Sequence, residues 1–172
     1  MKTIILGYMA SGKSTLGKLL SQSVNLPFID LDEYIEKKEE KTIADIFSGE
    51  GEIYFRLKEH EYLKELLKLE DDFIIALGGG TPCYSGNMDI INDFINTQSV
   101  YLKASIHEIA NRLENELEKR PIVASIQKED LHEFIAKHLF ERSFYYEKAK
   151  HTINISGKSK ENIIEEMETL LF

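Results

Sequence analysis

The chain has 172 residues, of which 42% are hydrophobic and 30% charged, so it is long and apolar enough for one domain with a buried core. Its formal net charge of −9 argues against a general nucleic-acid-binding role, which requires a basic face. A single cysteine, Cys83, excludes an intramolecular disulfide, and no apolar run is long enough to span a membrane or act as a signal peptide, so we expect a cytoplasmic protein.

Five short segments are predicted as strands, because each is apolar without clean alternation, which is typical of strands covered on both faces. In chain order they are Lys2–Leu6, Phe28–Asp30, Phe73–Leu77, Ser99–Leu102 and Thr152–Ile155. The strands are separated by helical patterns, which predicts an α/β three-layer fold with a five-stranded parallel sheet flanked by helices. Ligands of such folds bind at the carboxyl ends of the strands.

Three helices have recognisable signals between these strands. A short helix opens at Thr42–Asp45, and a long amphipathic helix is predicted over Glu52–Leu69. The run from Ser105 to Glu108 reads as a capping box that opens a helix through about Leu117.

The segment Gly7-Tyr8-Met9-Ala10-Ser11-Gly12-Lys13-Ser14 follows the first strand and opens a helix. It matches the phosphate-binding pattern G-x-x-x-x-G-K-[ST], in which backbone N–H groups and the helix N-terminus cradle phosphates. The lysine would reach the β- and γ-phosphates, and the serine hydroxyl would hold Mg²⁺. A plain glycine turn with a surface lysine is the alternative, and the match of all four positions in the right context disfavours it. The loop therefore predicts a bound nucleoside triphosphate but says nothing about the acceptor.

The second strand ends in Asp30-Leu31-Asp32. In an extended segment the two carboxylates would share one face, at the ligand-binding edge of the sheet. One could organise Mg²⁺, and the other could hydrogen-bond an acceptor hydroxyl and take its proton. A polar strand end or a helix cap is the alternative interpretation.

Arginine is rare in this chain, which uses lysine on its predicted helical surfaces. The rigid guanidinium fork suits bidentate binding of carboxylate or phosphate, so each arginine is a candidate ligand-binding residue, although any of them could serve only in a structural ion pair. The four are Arg56, Arg112, Arg120 and Arg142. Gly78-Gly79-Gly80, after the third strand, would let backbone approach a ligand closely or would form only a flexible turn.

Taken in order, these motifs resemble the shikimate kinase family over nearly the whole chain. They are Gly7–Thr15, Pro27–Asp32, Ile43–Phe47 with Gly51-Glu52-x-x-Phe55-Arg56, Gly78–Gly80, Arg120-Pro121 and Arg142-x-x-Tyr145-x-x-x-Ala149. The resemblance implies ATP-dependent phosphorylation of the shikimate 3-hydroxyl, giving shikimate 3-phosphate and ADP. It also implies one Mg²⁺ per subunit.

On the nucleotide side, the resemblance implies that Arg112 packs near adenine, with the loop Ser156–Lys158 on the other side of the base. Ser14 and Asp30 would serve the metal, and Arg120, in a glycine-free lid at about 115–129, would swing over the transferring phosphate. The full nucleotide set is Gly7, Ala10, Ser11, Gly12, Lys13, Ser14, Thr15, Arg112 and Arg120. Ala10 stands where many family members have glycine.

On the acceptor side, the resemblance implies that Arg56 and Arg142 grip the shikimate carboxylate, with Gly79 and Gly80 lining the same pocket. Asp32 would bind the acceptor hydroxyls and act as base, so that Lys13, Asp32 and Arg120 form the catalytic set. Phe47 and Phe55 would form an apolar wall or would be ordinary core aromatics.

Two other functions are compatible with parts of this pattern. A gluconate or nucleoside monophosphate kinase would share the phosphate loop, and the discriminating feature is the pair Arg56 and Arg142 with the triple glycine, which suits a compact carboxylate. A nucleotide-binding regulator would need neither Asp32 nor Arg120. We expect a single domain over residues 1–172, acting as a monomer on small-molecule substrates, without nucleic acid or membrane partners.

Overall fold

The structure, a computed structural model, describes residues 1–115 and 126–172. The strands β1 to β5 are Lys2–Leu6, Phe28–Asp30, Phe73–Ala76, Thr97–Lys103 and His151–Asn154. The α-helices of the described residues, α1 to α8, are Lys13–Val24, Leu31–Glu39, Ile43–Gly49, Gly51–Lys68, Asn87–Asp93, Ile106–Glu114, Leu131–Tyr146 and Lys160–Leu171. Short 3-10 helices lie at Thr81–Cys83 and Lys128–Asp130.

The five strands form one parallel sheet in the order β2-β3-β1-β4-β5, with helices on its faces, which confirms the predicted fold class. In the register, Ile4 of β1 pairs with Ile75 of β3 and with Ser99 of β4. Because all strands run the same way, their carboxyl ends meet at one edge of the sheet. The phosphate loop, the Asp30 region and the glycine run follow β1, β2 and β3 at that edge.

The core lies on both faces of the sheet. Every residue of β1 and β3 is buried, which explains why these strands read as apolar runs without alternation. The helices contribute apolar stripes to this core, such as Leu63, Leu66 and Leu67 of α4 and Met167 of α8. Each such side chain contributes about 1.5–3 kcal/mol by leaving water.

The predicted boundaries differ from the structure at several ends. β3 stops one residue early at Ala76, β5 lies one residue earlier than predicted, and β4 is longer, beginning at Thr97. The reason for the last difference is pairing: Thr97 lies opposite Lys2 in the ladder with β1, so backbone hydrogen bonds continue the strand through polar residues.

The predicted capping box at Ser105 is only half formed. The Glu108 N–H donates to Ser105 Oγ at 3.2 Å, but the Glu108 carboxylate pairs with Arg112 instead of returning to the Ser105 N–H. That N–H donates to Ser156 Oγ at 2.8 Å. α6 ends at Glu114, before the predicted end near Leu117.

Most of the predicted lid at 115–129 falls on residues 116–125, which lie outside the described part of the chain, and Arg120 is one of them. Over residues 1–115 and 126–172, no helix has both the length and the apolar character needed to cross a membrane.

One glycine is required by packing between a helix and the sheet. A methyl group on Gly17 of α1 would lie 2.3 Å from Cε2 of Phe28 in β2. Gly17→Ala should therefore lower the free energy of unfolding by about 1–3 kcal/mol, despite the better helix propensity of alanine.

Urea unfolding would measure this effect. Gly49→Ala is the matched control, because a methyl group there has no atom within 4 Å. Combining Gly17→Ala with Phe28→Leu should recover part of the loss. A Gly17→Ala protein as stable as the parent would contradict the proposed close packing.

Candidate active site

The phosphate loop needs glycine at two positions for different reasons. Gly7 has φ +152°, and a methyl group on it would lie 2.8 Å from the carbonyl oxygen of Leu102. Gly12 has φ +87° and is the residue from which α1 begins, a left-handed conformation that glycine adopts without cost. The loop therefore turns sharply between β1 and α1, with the helix N-terminus directed at its concave side.

Ala10 lies in the left-handed region as well, with φ +59°. A side chain in that conformation costs about 1–2 kcal/mol relative to the right-handed region, which glycine would avoid. The Ala10 carbonyl accepts a hydrogen bond from Arg112 Nη1 at 3.0 Å. Arg112 thus connects α6 to the phosphate loop at Ala10, where the backbone is strained.

A hydroxyl and a carboxylate lie together beside the loop. Ser14 Oγ donates to Asp30 Oδ2 at 2.5 Å, and the Lys13 ammonium donates to the Tyr8 carbonyl at 3.0 Å. The other carboxylate oxygen of Asp30 accepts from the backbone N–H groups of Asp32 and Glu33 and so caps α2. Asp30 therefore both caps a helix and borders the phosphate loop.

The prediction that Asp30 and Asp32 share one face of an extended segment is wrong. β2 ends at Asp30, and Asp32 belongs to the first turn of α2, which begins at Leu31. Both carboxylates nevertheless line the same cavity, because the helix cap turns the chain back toward the phosphate loop.

This cavity has a volume of about 470 Å³. From the predicted nucleotide set it includes Ala10, Gly12, Lys13, Ser14, Thr15 and Arg112. Gly7 and Ser11 are buried under the loop instead, and Ser11 Oγ has no hydrogen-bond partner among the described residues.

The cavity concentrates positive charge in an acidic protein. Its lining carries the cations Lys13, Arg112, Lys158 and Lys160. Lys158 belongs to the loop predicted near the base, and Lys160, the first residue of α8, has no sequence signal for a site. Such a local island of cations is what an anionic phosphate chain requires when the net charge is −9.

The second part of the site is built on the glycine run. A methyl group on Gly80 would lie 2.7 Å from Arg56 Nη2, so only glycine leaves room for this guanidinium. Arg56 is half-buried, and its guanidinium carbon lies 4.2 Å from the centroid of the Tyr84 ring. Its position is thus set by a backbone surface and an aromatic ring.

Arg142, on α7, approaches the same glycine run. Its Nη1 would lie 3.8 Å from a methyl group on Gly79, and the neighbouring Tyr146 hydroxyl donates to the Gly79 carbonyl at 2.6 Å. Within the described residues no carboxylate lies within 4.0 Å of the Arg142 guanidinium. Arg142 is therefore a half-buried cation that no described carboxylate neutralises within ion-pair distance.

The charges of Arg56 and Arg142 both act on the thiol of Cys83. Burial raises the pKa of Cys83 to about 11, while the charges of Arg142 and Arg56 both act to lower it.

Phe47 and Phe55 pack with ring centroids 4.8 Å apart, Phe55 in the core and Phe47 37% exposed. Phe55 is thus a core aromatic whose ring centroid also lies 5.1 Å from the Arg56 guanidinium carbon, and Phe47 packs on it from outside.

Glu59 is a member of the site that the sequence did not reveal. It is 1% exposed, and its carboxylate accepts from Arg56 Nη1 at 2.9 Å and from Thr81 Oγ1 at 2.6 Å. In sequence it is one of many acidic residues on a charged helix. The only available signal was its spacing of three residues from Arg56, and burial of a carboxylate requires such a partner.

Asp32 lies among like charges. Burial raises its pKa, the carboxylates of Asp30 and Glu59 raise it further, and Lys13 and Arg56 oppose them, giving a pKa of about 6. A carboxylate with a pKa nearer neutrality is a better proton acceptor than an ordinary one and is still ionised at pH 7.

Across the described residues, no cluster of three or more His, Cys, Asp or Glu side chains could hold a metal ion. The candidate ligands here are a single hydroxyl and a single carboxylate, from Ser14 and Asp30. Such a sparse oxygen set suits Mg²⁺, which keeps several waters and takes other oxygens from substrate phosphates.

The chain is similar to known proteins over its whole length. Residues 9–171 match the family model described as shikimate kinase. A shikimate kinase from Flavobacterium psychrophilum is 47% identical, with 99% of each chain covered. The crystal structure of shikimate kinase from Bacteroides thetaiotaomicron has a TM-score of 0.91 at 32% identity, covering 99% of this chain and 98% of the other. Shikimate kinase from Acinetobacter baumannii in complex with shikimate has a TM-score of 0.86 at 26% identity, covering 98% and 91%.

The surroundings of Asp32 generate a prediction for the free protein. Its carboxyl group should titrate near pH 6 in the metal-free and nucleotide-free state, against an ordinary value of 3.8. Asp30→Asn keeps a good helix cap but removes a like charge, so it should move the midpoint to lower pH. The carboxyl carbon shift of Asp32, followed by NMR, measures both. A midpoint near 4 in the parent, or no change in the variant, would contradict the electrostatic account.

Proposed function

The chain belongs to the shikimate kinase family, and on that premise we propose how its described residues divide the reaction among themselves. The protein is an ATP:shikimate 3-phosphotransferase: it phosphorylates the shikimate 3-hydroxyl and produces shikimate 3-phosphate and ADP, a step of the pathway to aromatic amino acids. The alternatives left open by the sequence, another small-molecule kinase or a regulator without transfer, are set aside by this membership.

The 470 Å³ cavity is our proposed ATP site. Backbone N–H groups of the phosphate loop would bind the β- and γ-phosphates, with Lys13 and the N-terminus of α1 supplying positive charge. Gly7, Ser11 and Gly12 would shape the loop, Thr15 would lie beside the phosphates, and Arg112 would border the base. The concentration of cations in an acidic chain supports this assignment.

Mg²⁺ is proposed as the cofactor, one per subunit, held by Ser14 and, through water, by Asp30. The hydroxyl and carboxylate are already in contact, and both are the hard oxygen donors that Mg²⁺ prefers. When bound, the ion supplies positive charge to the phosphate oxygens.

Arg56 and Arg142 are proposed to hold the shikimate carboxylate over Gly79 and Gly80. The observation that carries this assignment is that both guanidinium groups face the same glycine backbone, and that Arg142 has no described carboxylate partner. A bidentate clamp at one end of the substrate would orient the hydroxyl at the other end.

Asp32 is proposed as the group that hydrogen-bonds the 3-hydroxyl and accepts its proton as the oxygen attacks the γ-phosphorus. It lies between the phosphate loop and the glycine run, so it borders both proposed substrate positions. Lys13 would neutralise the phosphoryl oxygens, and Arg120, outside the described residues, would add charge from the lid.

We further propose a single domain over residues 1–172 with a lid at about 115–129, acting as a monomer in the cytoplasm. One sheet draws its strands from residues 2–154, and α8 packs back on α1. The use of ATP and the single cysteine support a cytoplasmic location.

Asp32→Asn tests the base. The amide keeps the shape of the side chain but cannot take a proton, so kcat should fall by about 10²–10⁴-fold. ATP affinity, measured by calorimetric titration, should stay within about twofold. Glu33→Gln, at the exposed neighbouring position, should leave kcat unchanged. Near-normal turnover of Asp32→Asn would remove Asp32 from this role.

Arg142→Lys and Arg56→Lys test the carboxylate clamp. Lysine cannot reproduce the bidentate fork, so each should raise the KM for shikimate by about 10–100-fold and the KM for ATP far less. Arg112→Lys is the matched variant on the nucleotide side and should act mainly on the KM for ATP. Equal effects on both substrates would contradict the division of the site.

A further inference from the structure

A closed ring of buried polar contacts lies behind the glycine run. Glu59 and His60 are consecutive residues of α4, and both reach the segment that follows Gly80. Glu59 Oε1 accepts from Thr81 Oγ1 at 2.6 Å, and His60 Nδ1 lies 2.7 Å from Asn87 Oδ1. Asn87 Nδ2 donates to the Thr81 carbonyl at 2.8 Å and closes the ring.

Three of the four side chains in the ring are buried, and every donor in the ring faces an acceptor. Thr81 and Asn87 are fully buried and Glu59 is 1% exposed, whereas His60 is only half-buried. Because the Asn87 amide donates to a carbonyl, its oxygen must be the atom that faces His60. His60 Nδ1 therefore carries the proton and donates it, so each hydrogen bond in the ring has one donor and one acceptor.

The ring is connected to Arg56 through Glu59. The second carboxylate oxygen of Glu59 accepts from Arg56 Nη1 at 2.9 Å. The segment that the ring clamps also forms the floor under Arg56, because Gly80 is in direct contact with its guanidinium. Arg56 thus contacts Glu59, which Thr81 of this turn holds, on one side and the Gly80 backbone on the other.

We propose that Thr81 and Asn87 are positioning residues for shikimate binding, which fix the Arg56 guanidinium through Glu59 and through the Gly80 backbone. This inference rests on the proposed role of Arg56 in binding the carboxylate. Thr81 and Asn87 touch neither substrate in this account. They act by fixing the orientation of the Arg56 guanidinium.

Thr81→Val is the primary test, because it keeps the shape of the side chain and removes only the hydroxyl. Glu59 Oε1 is then left buried without its donor, and the KM for shikimate should rise on the order of tenfold. The KM for ATP should change less than about twofold, and Thr81→Ser should restore most of the shikimate affinity.

Ser99→Ala is the matched control. Ser99 is also fully buried, and its hydroxyl donates to Asn92 Oδ1 and accepts from the Lys150 N–H, away from Arg56. It should lower thermal stability as Thr81→Val does and leave both KM values unchanged. A rise in the KM for shikimate in this control would reduce the Thr81 effect to general destabilisation and overturn the proposal.

A double-mutant cycle with Arg56→Lys separates this inference from the function on which it rests. If Thr81 acts through Arg56, Thr81→Val should have less than about a twofold effect in the Arg56→Lys background. If Thr81→Val raised the KM for shikimate tenfold both in the parent and in the Arg56→Lys protein, the positioning role alone would be overturned. The same holds if Arg56→Lys raises that KM and Thr81→Val does not. No effect of Arg56→Lys would instead overturn the carboxylate clamp, and the positioning role with it.

His60, the half-buried member of the ring, provides a second test if Thr81→Val does not fold. His60→Leu removes the donor to Asn87 and should raise the KM for shikimate about threefold. His60→Asn can donate from the same place and should restore it. An unchanged KM in His60→Leu would show that the ring does not position Arg56.

Discussion

Parallel pairing of β1 with β3 and of β3 with β2 is the constraint on which the site depends. These three strands are neighbours in the sheet although α1 to α4 separate them along the chain. Each ends at the same edge in a segment with a different chemical use: a phosphate loop, a carboxylate cap and a glycine run. A change of register in one ladder would separate the proposed donor and acceptor positions.

Close backbone approach shapes the segments that we propose to bind anions in this acidic protein. At Gly7 the chain passes a carbonyl, at Gly12 it opens a helix, and at Gly80 it lies against a guanidinium. A methyl group would press on the Leu102 carbonyl at Gly7 and on the Arg56 guanidinium at Gly80, and at Gly12 it would strain the left-handed backbone. Four cations line the cavity and two arginines lie at the glycine run, in a chain whose net charge is −9.

Glu59 connects the electrostatics of the two proposed substrate positions. Its carboxylate holds Arg56, and its negative charge is also one of the causes that raise the pKa of Asp32. Burial of this carboxylate is tolerable because it is paired and accepts a second hydrogen bond from Thr81. The proposed carboxylate clamp and the proposed base are thus coupled through the Glu59 side chain.

The sequence by itself determined the parallel α/β fold, the five strands to within a few residues, and the phosphate loop, because apolar runs and glycine-dependent turns are local properties of the chain. The rarity of arginine made all four arginines candidates, and the resemblance to the family, which the motifs carried, then selected Arg56 and Arg142 for the acceptor side. Only the tertiary structure decided how Asp30 and Asp32 converge, since a helix cap replaced the expected extended segment. It also decided that Glu59, Thr81 and Asn87 form one buried network. Their partners lie between 3 and 27 residues away, and such contacts leave no periodic trace in a sequence.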